Sequence, residues 1–196
     1  MLHSIESDGR LVQQARKGDV EAFNRLISRW EKRLYNYLLG LIRNREDSMD
    51  LCQEAFLKAF RSLGTLEDSE KFPHWLFRIA HNLAYSHLRR DTPLDDAESW
   101  PENDGEGAVQ TIPIGSARSR PGIEVELAVA RALESLTPEQ QEAIALKVYQ
   151  GFQFDEIAEI LSCPVSTVKS RIYAGFAQLR NILSSSPAPA ATERRR

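Results

Sequence analysis

The sequence predicts an all-α protein in which a flexible acidic linker joins two small helical domains, the C-terminal one containing a helix-turn-helix. Apolar residues recur at three- and four-residue intervals in two long segments, and neither segment shows the strict alternation of a strand. The segment between them, residues 92–122, is rich in Pro, Gly, Asp, Glu and Ser. We therefore predict domains at residues 1–91 and 123–184, and a disordered tail at 185–196.

Four helices are predicted in the first domain. Gly18 and Asp19 separate the first two, and Asp19 is a suitable N-cap for the second. The third helix has a broad apolar face, and its other side carries polar residues together with one leucine, Leu57, which would suit a partner-binding surface. The predicted helices are Leu11–Lys17, Val20–Arg43, Asp47–Leu63 and Phe72–Arg90.

The outer side of the fourth helix carries no acidic residue before Asp91. Arginine, histidine, asparagine and tyrosine can contact phosphates, hydrogen-bond to base edges and stack on an unpaired base. The aromatic residues Phe72, Trp75 and Phe77 are more typical of a core, and a single histidine is more often an ordinary surface residue. The candidate DNA-binding residues of this helix are Arg78, His81, Asn82 and Tyr85.

Four helices are also predicted in the second domain. The strongest helix start is at Thr137, which is a suitable cap, with Pro138 in the first turn and Gln140 closing a capping box. The predicted helices are Ile123–Ser135, Pro138–Tyr149, Phe154–Leu161 and Val165–Leu183.

The last two of these helices form the predicted helix-turn-helix, because a tight turn of about three or four residues, SCPV, joins them. The second helix turns hydroxyl and cationic side chains outward, where they can contact phosphates and base edges in a major groove. A helical hairpin with a solvated polar face is the alternative, but the absence of acidic residues over 165–183 favours DNA binding. The candidates are Ser166, Thr167, Lys169, Ser170, Arg171 and Tyr173.

The charge distribution argues against tight DNA binding by the chain alone. The net charge is −3, made up of +2 over residues 1–91, −4 over 92–122, −3 over 123–183 and +2 over the rest. Cys52 and Cys163 lack the spacing of a metal site and fall on apolar faces, so we predict neither a metal nor a cofactor. The N-terminus does not resemble a secretory signal, and no run approaches the roughly 18 apolar residues that cross a bilayer, so we predict a cytoplasmic protein without membrane insertion.

Three phrases occur in order along the chain: DLCQEAFLKAF, FPHWLFRIAHNLAYSHLRR and LTPEQQEAIALKVYQGFQFDEIAEILSCPVSTVKSRIYAG. Together they closely resemble the extracytoplasmic-function (ECF, group IV) sigma factors of the sigma-70 family. The resemblance covers both domains and their order. It implies a subunit, not an enzyme, that binds core RNA polymerase, recognises promoter DNA and promotes melting, in a stress or envelope response.

The resemblance also implies roles for individual residues. Residues 1–91 would be sigma domain 2, whose loop at 64–71 would capture a base flipped from the minus-ten element while Arg78, His81, Asn82 and Tyr85 contact that element. Residues 123–184 would be sigma domain 4, whose helix-turn-helix would read the minus-thirty-five element. The linker would thread toward the RNA exit path. The residues implied for docking on core polymerase are Asp50, Gln53, Glu54 and Leu57.

An anti-sigma factor, often membrane-anchored, is the usual regulator of this family. One departure from the family pattern is the run 172–176, IYAGF, where relatives often carry further basic residues. Fewer cations should weaken phosphate contacts, so the minus-thirty-five sequence of relatives cannot be transferred.

Two other functions are compatible with parts of the sequence. A transcriptional repressor or activator would explain the helix-turn-helix but not the first two phrases. A hydrolase would need a metal site from His81, His87, Asp50 and Glu54, yet the two histidines lie six residues, or about 600°, apart around a helix.

Overall fold

The computed structural model describes residues 6–91 and 132–185, and every regular element in these two ranges is helical. This confirms the all-α class. The predicted linker, the tail beyond Ser185 and most of the predicted helix Ile123–Ser135 lie outside the described residues, and the domain boundaries stay predictions. The α-helices are α1 (Asp8–Arg16), α2 (Val20–Ile42), α3 (Arg45–Ser62), α4 (Phe72–Asp91), α5 (Pro138–Ile144), α6 (Phe154–Leu161) and α7 (Val165–Ser185).

Side-chain caps explain where the helices of the first domain begin. The Asp19 carboxylate accepts a hydrogen bond from the Ala22 backbone N–H at 3.1 Å, as predicted. Asn44 caps α3 in the same way, accepting from the Glu46 N–H at 2.9 Å. Between them, Arg43 adopts a left-handed conformation with φ 57°, which ends α2. These local signals set the bounds of α2 and α3 to within two residues of the prediction.

The core of the first domain lies between α1, α2, α3 and α4, where one side of each helix is buried. Short 3₁₀ turns at Leu63–Thr65 and Ser69–Lys71 connect α3 to α4. Phe72 and Phe77 are completely buried, as expected for aromatic residues of this helix. The largest aliphatic side chains of this core are Leu11, Leu26, Leu34, Leu38 and Leu76.

The predicted helix Pro138–Tyr149 has the predicted bounds, but its second half is π-helical and not α-helical. Thr137 and Gln140 form the predicted capping box. The α-helix ends at Ile144, however, and Ala145–Tyr149 forms a π-helical turn. The Gln150 N–H donates to the Ala145 carbonyl and the Phe152 N–H to that of Leu146, both at 3.2 Å. Phe152, which follows this turn, is buried in the core.

Helices α6 and α7 form the predicted helix-turn-helix. Ser162 ends α6 in the left-handed region, with φ 51°, and the Pro164 carbonyl accepts hydrogen bonds from the Thr167 and Val168 N–H groups of α7. Val168 and Ile172 are buried against the rest of the domain. Val165 and Leu183, near the two ends of α7, are more than a third exposed.

Gly175 allows α5 and α7 to cross closely, because a Cβ at this position would lie 2.7 Å from Cδ1 of the buried Ile144. We therefore expect Gly175→Ala to lower the free energy of unfolding by up to about 2 kcal/mol, because an overpacking cost of about 1–3 kcal/mol outweighs the roughly 1 kcal/mol gained in helix propensity. Gly40 of α2 provides the matched control, because nothing lies within 4 Å of its Cβ position. Gly40→Ala should be neutral or stabilising by up to about 1 kcal/mol. Urea unfolding followed by circular dichroism measures both, and equal effects would contradict this packing.

The two helical domains pack against each other. Helix α4 of the first lies along α6 of the second, and the rings of Phe77 and Phe152 meet at 5.1 Å between centroids. Buried residues on both sides form one continuous apolar cluster. No helix within the two described ranges is long and apolar enough to span a membrane.

Candidate nucleic-acid interface

One side of α3 presents the four residues predicted to dock on polymerase. Their spacing of three and four residues places them on one stripe, and all four are exposed. Glu54 forms an ion pair with Lys58 at 3.1 Å, and Leu57 is 55 % exposed. Met49 and Phe60, which were not among the predicted residues, are also exposed. The structure therefore brings Asp50, Gln53, Glu54 and Leu57 together on an accessible surface that is partly apolar.

The four residues of α4 that were predicted to bind DNA are only partly accessible to solvent. Arg78 and Asn82 are exposed, as predicted. His81 is buried, and Tyr85 is partly buried, because the second domain covers this part of the helix. The expectation that His81 lies on an open outer face is therefore wrong, while its role in DNA binding stays a prediction.

The group that covers His81 is a buried carboxylate, Glu142 of α5, which is 4 % exposed. The hydroxyls of Tyr37 and Tyr85 donate to its two oxygens at 2.6 and 2.8 Å. His81 Nδ1 lies 2.9 Å from Glu142 Oε1. Burial, followed by the negative charge of Glu142, raises the pKa of both tyrosines, so their hydroxyls stay protonated and remain donors. Glu142 and Tyr37 were not predicted as site residues, because their proximity depends on contacts between distant parts of the chain.

The predicted face of α7 is largely accessible. Ser166, Lys169 and Ser170 are exposed, and so is Tyr173, while Thr167 is half-buried. Lys169 Nζ lies 5.6 Å from the centroid of the Phe154 ring. Arg171 is half-buried, and its positive charge opposes the rise in the pKa of Tyr85. The six candidate residues thus lie together on one helix, and the charge of Arg171 acts on Tyr85 of α4.

Helix α1 anchors the loop at 64–71 through hydrogen bonds to the backbone. Leu66 is buried, and the Arg16 guanidinium donates to the backbone carbonyls of Leu63, at 3.0 Å, and of Leu66. Gly64 and residues 65, 67 and 68 are exposed. The loop therefore has an anchored base and an accessible edge. Arg16 was not predicted to have this role, because nothing in its local sequence indicates a long-range contact.

Comparison with known proteins places the chain in a family. A model of Sigma-70 region 2 matches residues 26–93, and one of Sigma-70 region 4 matches residues 126–179. The chain is 32% identical over 176 residues to the RNA polymerase sigma-H factor of Pseudomonas aeruginosa, covering 86% of this chain and 89% of the relative. It is 35% identical over 174 residues to the ECF RNA polymerase sigma-E factor of Escherichia coli K12, covering 85% and 89%. The chain belongs to the ECF sigma factors of the sigma-70 family.

Solved structures agree with this assignment. CnrH in complex with the cytosolic domain of CnrY is 25% identical to this sigma factor, with a TM-score of 0.64, covering 93% of this chain and all of that one. RpoE of Bartonella quintana, in complex with the anti-sigma factor NepR, is 22% identical, with a TM-score of 0.59, and the match covers 84% of this chain and 98% of that one. At this identity the likeness supports the fold alone. The two family matches and the curated relatives show that this protein is a promoter-recognising transcription initiation factor.

In this sigma factor a groove of 480 Å³ runs between α3 and α4. One wall carries acidic residues of α3, among them Asp50 and Glu54, and the other carries Asn82 and Arg90 of α4. His87 Nε2 lies 3.5 Å from Asp47 Oδ2 across it. The groove therefore joins the surface predicted to bind polymerase to the exposed residues predicted to bind the minus-ten element. No group of three or more potential metal ligands occurs within the parts of the chain that the structure describes.

The two cysteines of this sigma factor differ in reactivity. Burial and the nearby Glu31 carboxylate raise the pKa of the Cys52 thiol to about 11, so almost no thiolate forms near neutral pH. Cys163 lies in the turn of the helix-turn-helix and is partly exposed. At pH 8 we expect Ellman's reagent to modify Cys163 while Cys52 reacts only after unfolding in guanidinium, as peptide mass spectrometry would show. Equal modification of both thiols in the native protein would contradict the burial of Cys52.

Proposed function

We propose that this sigma factor binds core RNA polymerase through the exposed stripe of α3, reads the minus-ten element with α4 and reads the minus-thirty-five element with α7. One observation carries the proposal: matches to both sigma regions occur in order, and each domain presents accessible candidate residues at the matching helix. The chain performs no chemistry on DNA and acts as a specificity subunit. Its proposed location is the cytoplasm, where core polymerase and promoter DNA are found.

Recognition of the minus-ten element is coupled to melting in this proposal. The exposed edge of the loop at 64–71 would hold a base flipped out of the duplex, while Arg78 and Asn82 contact the neighbouring strand. Flipping a base costs a few kcal/mol of stacking and pairing, and its capture offsets that cost. Binding and strand separation would then be one event.

The minus-thirty-five element would be recognised as duplex DNA by a helix that carries few cationic residues. Within α7 the cationic residues are Lys169, Arg171 and Arg180. Each phosphate neutralised by a cation adds to the salt dependence of binding, so a helix with few cations contributes modest affinity. Core polymerase would therefore supply much of the affinity and hold the two domains at the spacing of the promoter elements.

We further propose that an anti-sigma factor controls this chain, in a stress or envelope response. The likeness to CnrH, whose solved complex contains the cytosolic domain of CnrY, supports a protein partner of that kind. The partly apolar stripe of α3 around Leu57 offers a suitable surface, because an inhibitor bound there would exclude core polymerase.

Transcription in vitro tests the proposal directly. Purified core polymerase is incubated with genomic fragments, with and without this protein, and RNA 5′ ends are mapped. New discrete start sites that require the protein and share upstream sequence elements are the expected result. The absence of such start sites, together with tight binding of duplex DNA by the protein alone, would indicate a repressor or activator instead.

A further inference from the structure

The contact between the two domains contains polar interactions at several separate places. Arg33 of α2 donates to the side chain and backbone carbonyls of Gln150, at 2.9 and 2.6 Å. At the start of α4, His74 is buried between Glu156 and Glu159, its ring nitrogens 3.5 and 3.2 Å from their carboxylate oxygens. These polar contacts lie beside the apolar packing of α4 against α6. We call this packing of the two domains the closed arrangement, and specific polar contacts hold it at several places.

Glu142 is the most deeply buried charge in this contact. Its oxygens are satisfied by Tyr37, His81 and Tyr85, all of which belong to the first domain. A buried carboxylate is tolerated only where hydrogen-bond donors compensate the loss of water. When the domains separate, water can solvate Glu142, and the three donors of α2 and α4 lose this acceptor. Glu142 therefore occupies these donors only while the two domains are packed together.

The three donors have the chemistry of a site for nucleic acid. Two hydroxyls and an imidazole can donate to a phosphate oxygen or to a base carbonyl, and the Glu142 carboxylate resembles such an acceptor. His81 and Tyr85 are also two of the four residues predicted to contact the minus-ten element. The donors cannot bind Glu142 and a promoter strand at the same time.

We propose that Glu142 is an internal latch, which occupies Tyr37, His81 and Tyr85 in the free sigma factor and is displaced by the single-stranded minus-ten element. The proposal rests on the proposed function, because the competing ligand is the promoter strand. It adds Tyr37 to the residues that contact DNA. It also means that part of α4 is masked until the domains separate on core polymerase.

Distances between the domains test the latch without any promoter. Spin labels are placed at exposed positions of α2 and α7, by Glu21→Cys and Asn181→Cys, in a Cys163→Ser background. The full-length protein should give one narrow distance distribution by double electron–electron resonance. Glu142→Gln, which keeps the volume but removes the charge, should broaden it toward longer distances. Asp155→Asn, an exposed carboxylate of the same domain, is the matched control and should not.

Tyr85→Phe supplies a second variant, because it removes the hydrogen bond to Glu142 from the first domain. Circular dichroism establishes that each variant is folded, and Tyr85→Phe decides the test if Glu142→Gln is not. Distributions identical to wild type in the folded variants would overturn the latch, whatever the transcription assay shows.

Binding of a labelled single strand tests the competition. The probe is the minus-ten non-template strand of a promoter mapped by the transcription assay, and fluorescence anisotropy gives its affinity for the free protein. Glu142→Gln should bind roughly tenfold more tightly than wild type, because apparent affinity scales with the fraction of open protein. Adding Tyr37→Phe should reverse much of that gain. Longer distances without tighter binding would show that the three donors do not bind the promoter strand. Absence of start sites in the transcription assay would overturn the proposed function and leave the distance result intact.

Discussion

Leu57→Asp is expected to weaken the binding of this sigma factor to core polymerase by roughly 30-fold or more, equivalent to about 2 kcal/mol, as for a central interface residue. Leu57 is 55 % exposed and lies amid the polar residues of the α3 stripe. A partner that buries this leucine would have to bury the aspartate charge instead, without a compensating cation. Fluorescence anisotropy of the labelled protein, titrated with core polymerase, measures the change.

Val20 supplies the control for this substitution. It is 56 % exposed, which matches Leu57, and it is the first residue of α2, where a carboxylate is favourable. Val20→Asp should bind core polymerase as wild type does. Equal binding by Leu57→Asp and wild type would show that the α3 stripe is not the docking surface.

Asn82→Ala is expected to reduce promoter melting by about 5- to 150-fold, the range for loss of one base contact worth about 1–3 kcal/mol. Asn82 is exposed and lines the groove between α3 and α4, so no contact with the second domain masks it. Binding to core polymerase should be unchanged, because the variant alters only the DNA contact. Permanganate footprinting of unpaired thymines at a mapped promoter measures open-complex formation.

The matched control is Asn24→Ala, which removes an exposed asparagine of α2. Its side chain hydrogen-bonds only weakly, to Glu21 at 3.4 Å. Asn24→Ala should leave open-complex formation unchanged. Similar melting by the Asn82 and Asn24 variants would remove Asn82 from the minus-ten contacts.

The helices and their exposed faces were largely predictable from local sequence. Caps at Asp19 and Thr137 mark helix starts by short-range hydrogen bonds, and both are as predicted. The stripe of α3 follows from helical spacing, since residues three or four apart share a face. Most of the α7 face is accessible for the same reason. Such features depend on neighbours within a few residues, which a single sequence displays.

Features that depend on distant contacts were not predictable. His81 follows the same spacing as the exposed Arg78 and Asn82, yet it is buried because a carboxylate 61 residues away meets it. Nothing in the sequence near Glu142 indicates that its side chain is buried. The π-helical turn at Ala145–Tyr149 similarly reflects the return of Phe152 to the core. Periodicity reports which residues share a face, but not which faces another domain covers.

Retention of promoter DNA with and without core polymerase tests the central claim most directly. A duplex fragment carrying a mapped promoter is incubated with this protein, with core polymerase, or with both, and the complexes are separated by electrophoresis in the presence of heparin. A heparin-resistant complex that forms only when both are present, and only on the promoter fragment, is the predicted result. Specific retention of the fragment by this protein alone, with no further complex on adding core polymerase, would contradict the account.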